Sequence, residues 1–261
     1  MVHGFQGNSF DMRLLRNSIA LAFPGCLYLC STANEEDTEV GIEEMGVRLA
    51  ADVVGFLKEW CPGPPDCELS RLSFVAHSIG GIVVRAALPH LQDFSGKMHT
   101  FMSLSSPHLG YMYAASKLFE TGLWIAKMVR KSRCLQQLSM TDADRLEDCM
   151  LSRLAESRGL EDFQHVVLVS SYQDQYAPFE SARIEMSPKA AADKEAGPHY
   201  RRMVRSLVSP LAPERLLRLD IDFKIPETSL DTVIGRAAHI QFIEHQALMW
   251  MIVHTHGFLF E

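Results

Sequence analysis

The sequence predicts an α/β fold, a mostly parallel sheet flanked by helices. Two patterns predict it: short β-prone apolar runs alternate with longer helical periods along the chain, and the run Leu72–Ala76 passes directly into a helix of small residues. Composition agrees, since 47% of the 261 residues are hydrophobic and 22% charged, the balance of a globular chain with a sizeable core. No Gly/Ser-rich or Pro-rich linker divides the chain, so one domain over residues 1–261 is expected. The net charge of -7 argues against nucleic acid as a partner, because phosphate binding needs clustered Lys and Arg. The patch Arg130, Lys131 and Arg133 is too short to reverse that.

Taken in order, Cys26 to Ser31 reads as a short strand, and Gly41 to Trp60 as an amphipathic helix with Val47, Ala50, Val54 and Leu57 on its apolar face. The turn CPGPPD then resets the chain. Strand Leu72 to Ala76, helix Ile79 to Leu91 and a strand around Thr100 to Leu104 give the β-α-β order of a parallel sheet. Tyr111 to Val129 and Leu135 to Leu154 form a helical insertion, about residues 111–158, which is either a cap over a pocket or an extra packed layer. A strand His165 to Ser170 follows, then a polar loop Ser187 to Pro198, a helix His199 to Leu207, an alternating strand Leu216 to Phe223, and a closing helix His239 to His254.

The six cysteines are scattered, and the nearest pairs, Cys26 with Cys30 and Cys61 with Cys67, match neither a zinc nor a thioredoxin spacing. Free thiols in a reducing compartment are expected, with no metal and no cofactor. The first residues lack the basic and apolar regions of a signal peptide. The most apolar segment, Ile240 to Phe260, is interrupted by Glu244, His245, His254 and His256, which disfavours a membrane span. An intracellular location is expected, and peripheral contact with a membrane surface stays open.

The junction Ala76-His77-Ser78-Ile79-Gly80 raises the chemistry. A serine hydroxyl is a poor nucleophile at neutral pH and needs a base, an orienting acid and donors for an oxyanion. A tight strand-to-helix turn lifts Ser78 out of the sheet and aims the helix N-terminus, with the Ile79 N–H, at the same spot. The usual pattern there is G-x-S-x-G; Ala76 replaces the first glycine, while Gly80 and Gly81 remain. The plain alternative is a serine that merely caps the helix. Near the start, His3-Gly4 precedes Phe5, the arrangement by which esterases supply a second oxyanion N–H, from Phe5 or alternatively from Gln6.

With these motifs in view, the sequence resembles the putative serine esterase family, lipase-like members of the α/β-hydrolase superfamily, and in particular the lipase-like domain at the C-terminus of a group of large eukaryotic proteins. The resemblance rests on VHGFQG, FVAHSIGG, LSSPHLG from Leu104, TGLW from Thr121, VVLVSSYQDQYAPFESARIE from Val166 and IGRAAHI from Ile234. It implies an α/β-hydrolase fold with Ser78 as nucleophile, Asp174 as acid and His239 as base, in the chain order of that superfamily. Asp174 follows a strong apolar strand, and His239 falls in the loop-like GRAAH segment. Glu180 and Glu185 are rivals for the acid, and His245, His254 and His256 for the base. His77 and His108 read as structural neighbours, and Phe119, Trp124, Ile125 and Met128 as core or the lining of an acyl pocket. The implied reaction is transfer of an acyl group from a small-molecule ester or lipid to water.

Only Met1 and Val2 stand before the His-Gly loop, which predicts a shortened sheet with an open edge and an untethered oxyanion loop. Two readings follow: a serine hydrolase of carboxylic esters, or a hydrolase-like scaffold that keeps the pocket without turnover.

Overall fold

The structure, a computed structural model, describes residues 1–63, 68–114, 131–224 and 231–261, with residues 231–237 described by their backbone alone. Its helices and strands are α1 (Arg13–Ala22), α2 (Ile42–Trp60), β1 (Leu72–His77), α3 (Gly80–Ala87), β2 (Met98–Leu104), α4 (Arg133–Leu138), α5 (Met150–Glu156), β3 (His165–Ser170), α6 (Phe179–Arg183), α7 (Pro188–Ala192), α8 (Gly197–Val208), β4 (Leu216–Asp220), α9 (Asp231–Glu244) and α10 (Gln246–Thr255). The strands form a parallel sheet in the order β1-β2-β3-β4, with Phe74 beside Phe101, Phe101 beside Val166, and Val166 beside Leu216. This is a parallel sheet covered by helices on both faces, an α/β-hydrolase-like fold.

β3 shows why. Its run HVVLVS sends Val166 and Leu168 into the core beneath α2 and α3, and Val167 and Val169 into a second core beneath α1 and α10. A strand buried on both faces has no polar side, so it reads as an uninterrupted apolar run. Helix α2 buries Ile42, Met45, Leu49, Ala50, Val53 and Leu57; of the expected apolar face Ala50 and Leu57 are buried and Val54 is half-buried, whereas Val47 is 49% exposed. Glu43 and Glu44 in its first turn and Lys58 in its last complement the helix dipole. Gly46 lets α2 lie directly on α3: a Cβ there would sit 2.6 Å from the Ala86 carbonyl carbon.

Several expected elements differ. The run Cys26 to Ser31 joins no sheet, although Leu29 O accepts from the Met1 nitrogen at 2.6 Å and Ser31 N donates to Met1 O at 3.0 Å. The stretch 135–154 is not one helix: α4 ends where Met140 turns into the left-handed region (φ 55°), and the Asp142 carboxylate accepts the Met150 N–H at 2.8 Å at the start of α5. Helix α3 gives way at Leu88 to a 3-10 turn containing Pro89, whose ring removes a donor. The polar loop 187–198 contains α7, capped by Ser187 Oγ, and β4 ends at Asp220 rather than Phe223. The closing helix is two helices, broken at His245, whose Nδ1 accepts the Leu248 N–H at 3.2 Å. Helix α1 was not anticipated, although Asn8 and Asp11 form a capping box just ahead of it and Met12, Leu15 and Ile19 give its buried spacing.

The expected untethered start is also corrected. Val2 forms a parallel bridge with Ala76: its N–H donates to Val75 O at 2.9 Å, and its carbonyl accepts from His77 N at 3.0 Å. That bridge fixes the His-Gly loop to the outer edge of β1. Part of the insertion, residues 115–130 with TGLW, Phe119, Trp124, Ile125 and Met128, lies outside the described residues. Among the described residues no helix is long and apolar enough to cross a membrane.

Candidate active site

Three adjacent strands end at one level. The ladder runs one residue past β1 and β2: Ser78 N donates to Leu104 O at 2.9 Å, and Ser105 N to Val169 O at 2.8 Å. Ser78 follows β1, Ser105 follows β2, and the loop 171–174 follows β3, so their side chains gather at the carboxyl edge, where open α/β sheets bind ligands. Ser78 and Ser105 both take left-handed backbone, at φ 56° and 51°, which turns each chain sharply off its strand. Such strain persists only where surrounding structure holds it, as at functional sites.

The structure brings Ser78, His239 and Asp174 into one hydrogen-bonded row. His239 Nε2 lies 2.9 Å from Ser78 Oγ, and His239 Nδ1 lies 2.6 Å from Asp174 Oδ2. A carboxylate only accepts, so Nδ1 carries the proton, and the bare Nε2 accepts from the serine hydroxyl. Asp174 Oδ1 accepts the N–H groups of Tyr176 at 2.7 Å and Ala177 at 3.2 Å, while Ser105 Oγ donates to Oδ2. Four donors therefore converge on one buried carboxylate, each oxygen taking two. Neighbouring Gln173 locks the Asp174 loop to the chain beyond β4, donating Nε2–H to Phe223 O at 2.8 Å and accepting from Phe223 N at 2.7 Å.

His239 is on α9, not in a loop. The GRAAH segment reads as loop-like, but Ala238 is fully buried in the second core, and that packing carries the helix through. The His239 ring packs on Tyr176 (centroids 5.5 Å apart) and on His77 (4.7 Å). His77 also ties β1 to α9, because its Nε2–H donates to the His239 carbonyl at 3.0 Å.

The rival residues are placed elsewhere. Glu185 pairs with Arg183 at 2.7 Å and Arg218 at 3.2 Å, and Glu180 lies on α6. His245 caps α10, His254 stacks on Trp250 with centroids 4.4 Å apart, and the ring of His256 packs against Phe258.

The His-Gly loop lies against the elbow. A Cβ on Gly4 would fall 2.9 Å from Ser78 Cβ, and one on Gly80 would fall 2.7 Å from His3 O. Gln6 N donates to Thr38 Oγ1 at 2.8 Å; among the described residues, the Phe5 and Ile79 amides have no acceptor. Thr38 and Glu39 thus strap the loop from below, with Gln6 Nε2 3.2 Å from Glu39 Oε1. No sequence motif marked this strap, since it joins segments far apart in the chain.

Behind the elbow, buried Arg85 on α3 donates to His108 O at 2.9 Å and Leu154 O at 3.1 Å, fixing the Ser-Pro-His loop to the helix that follows Ser78. Burial pushes the pKa of His77 down to about 3, with the adjacent His239 adding to the fall, and burial also holds His108 well below the usual imidazole range. Both rings are neutral when folded, but each takes a proton below its ordinary pKa once unfolded. Their contribution to stability is fully present above pH ~6.5 and is lost as pH falls from there toward the folded pKa values, at roughly 1.4 kcal/mol per pH unit for each ring. Urea unfolding midpoints are therefore expected to drop steeply on acidification below about pH 6. A flat profile between neutral and mildly acid pH would show that the rings are charged or solvated in the native state.

A family model for the putative serine esterases (DUF676) matches residues 1–188 of the 261. The matched stretch contains the His-Gly loop, Ser78, Ser105 and Asp174, and His239 lies beyond it. On that match the chain belongs to the putative serine esterase family.

Proposed function

We propose that this esterase cleaves carboxylic esters, lipid or acyl esters in particular, through a Ser78-His239-Asp174 triad and an acyl-enzyme. The observation that carries this reading is the row from Ser78 Oγ through both nitrogens of His239 to Asp174 Oδ2, at 2.9 and 2.6 Å. His239 Nε2 takes the hydroxyl proton as Ser78 Oγ attacks the ester carbonyl, and Asp174 holds the tautomer that leaves Nε2 bare. The amides of Phe5 and Ile79 stabilise the oxyanion, at the N-terminus of α3. His239 then delivers the proton to the departing alcohol. Water, deprotonated by the same imidazole, attacks the acyl-enzyme and releases the acid.

Two features support turnover over a scaffold role. The Val2 bridge anchors the oxyanion loop, and Ala76 sits in β1 with no positive φ, where a methyl group is accommodated at full burial. We further take residues 1–261 as one lipase-like domain. The described cysteines are free thiols, which accords with an intracellular setting.

Purified protein is expected to react with a fluorophosphonate probe and to hydrolyse p-nitrophenyl esters, and Ser78→Ala and His239→Ala should each abolish both activities. A folded wild type that takes no label would overturn the reading.

A further inference from the structure

We propose that Ser105 is a positioning residue for ester hydrolysis, holding the Asp174 carboxylate at the oxygen that orients His239. The proposal rests on the triad reading above and extends it to a residue that does not touch substrate.

Ser105 sits at the end of the strand between the nucleophile strand and the acid strand. Its N–H is fixed to Val169 O at 2.8 Å, it is 1% exposed, and its Oγ donates to Asp174 Oδ2, the oxygen that also accepts from His239 Nδ1. The backbone at φ 51° would suit glycine or asparagine better. What serine adds in this strained setting is the hydroxyl. The two backbone amides from Tyr176 and Ala177 hold only Oδ1, which leaves the carboxylate free to swing about that anchor. The Ser105 bond closes the swing, fixing Oδ2 and, through it, the imidazole plane that aims Nε2 at Ser78. Geometry at this level matters, since a displacement on the order of 1 Å can cost about 100-fold in rate.

The neighbouring residue supplies a control. Ser106 is equally buried and, among the described residues, its Oγ has no partner, so its hydroxyl holds nothing in the triad.

The test compares wild type, Ser105→Ala, Ser105→Gly, Ser105→Cys and Ser106→Ala, reading fluorophosphonate labelling rate, and kcat and KM on p-nitrophenyl butyrate. Ser105→Ala and Ser105→Gly should lower labelling and kcat by about 10- to 100-fold with KM unchanged. Ser105→Cys, which keeps a weak donor, should recover part of the loss, and Ser106→Ala should match wild type. Glycine relieves the left-handed backbone, so Ser105→Gly separates loss of the hydroxyl from loss of fold even if Ser105→Ala misfolds. If wild type labels and folded Ser105→Gly labels equally fast, or if Ser106→Ala falls as far, the positioning role is wrong while the triad stands. If wild type does not label, both fall.

Discussion

Asp174→Asn is expected to lower kcat for ester hydrolysis by about 1,000- to 10,000-fold while the protein stays folded. The size follows from the four donors that surround the carboxylate. Oδ1 faces two backbone N–H groups, and Oδ2 faces the Ser105 hydroxyl and His239 Nδ1. An amide has one oxygen and one NH2, so either orientation sets donors against donors. If the NH2 turns toward the loop, it meets the amides of Tyr176 and Ala177 and the acid loop must shift. If it turns toward His239, the imidazole must present a bare Nδ1 and carry its proton on Nε2, where it cannot accept from Ser78. Both outcomes disable the base, and the second leaves packing untouched. Matched thermal melts and steady-state kinetics on a p-nitrophenyl ester check it. A folded variant within tenfold of wild type would take the acid role away from Asp174.

The candidate site at the carboxyl edge of the sheet was more legible in the sequence than the elements that support it. Ser78 could be read because the elbow is local: an apolar strand, a serine and two glycines in a dozen residues. β3 was read to its exact limits because burial on both faces leaves a continuous apolar run. The GRAAH segment around His239 reads as a loop because its glycine lowers helix propensity locally, whereas the packing of Ala238 into the second core, which no local pattern reveals, keeps it helical. The apolar run at Cys26 to Ser31 looked like a strand, yet a strand exists only through its ladder, and among the described residues its strand-like backbone bonds are the two to Met1. Ser105 and Thr38 were invisible for the same reason. Nothing in LSSPHLG or NEEDTE distinguishes a serine or threonine that reaches across the fold from one facing water.

Gly80→Ala is expected to lower kcat by about 100-fold or more and to destabilise the fold by roughly 1–3 kcal/mol, although alanine is the better helix former. Intrinsic propensity favours the change by about 1 kcal/mol, since Gly80 opens α3 with ordinary helical backbone. Sterics oppose it. The new Cβ would lie 2.7 Å from His3 O, 2.8 Å from Val2 O and 3.2 Å from the Val2 carbonyl carbon. All three are main-chain atoms, so no side chain can rotate away, and relief requires the Val2–His3 backbone to move off the elbow. That backbone carries the parallel bridge to β1 and, two residues further on, the Phe5 amide proposed above as an oxyanion donor. The steric term therefore wins and reaches the chemistry through a displaced donor, appearing in kcat more than in KM. Gly55→Ala provides the contrast: it lies in the exposed interior of α2, its Cβ would meet nothing within 4 Å, and the same substitution there should stabilise by about 0.5–1 kcal/mol with activity unchanged. Urea melts and kcat for the two variants decide the matter. If Gly80→Ala were as active and as stable as Gly55→Ala, the His-Gly loop would not be held against the nucleophile turn, and Phe5 would lose its place in the oxyanion site.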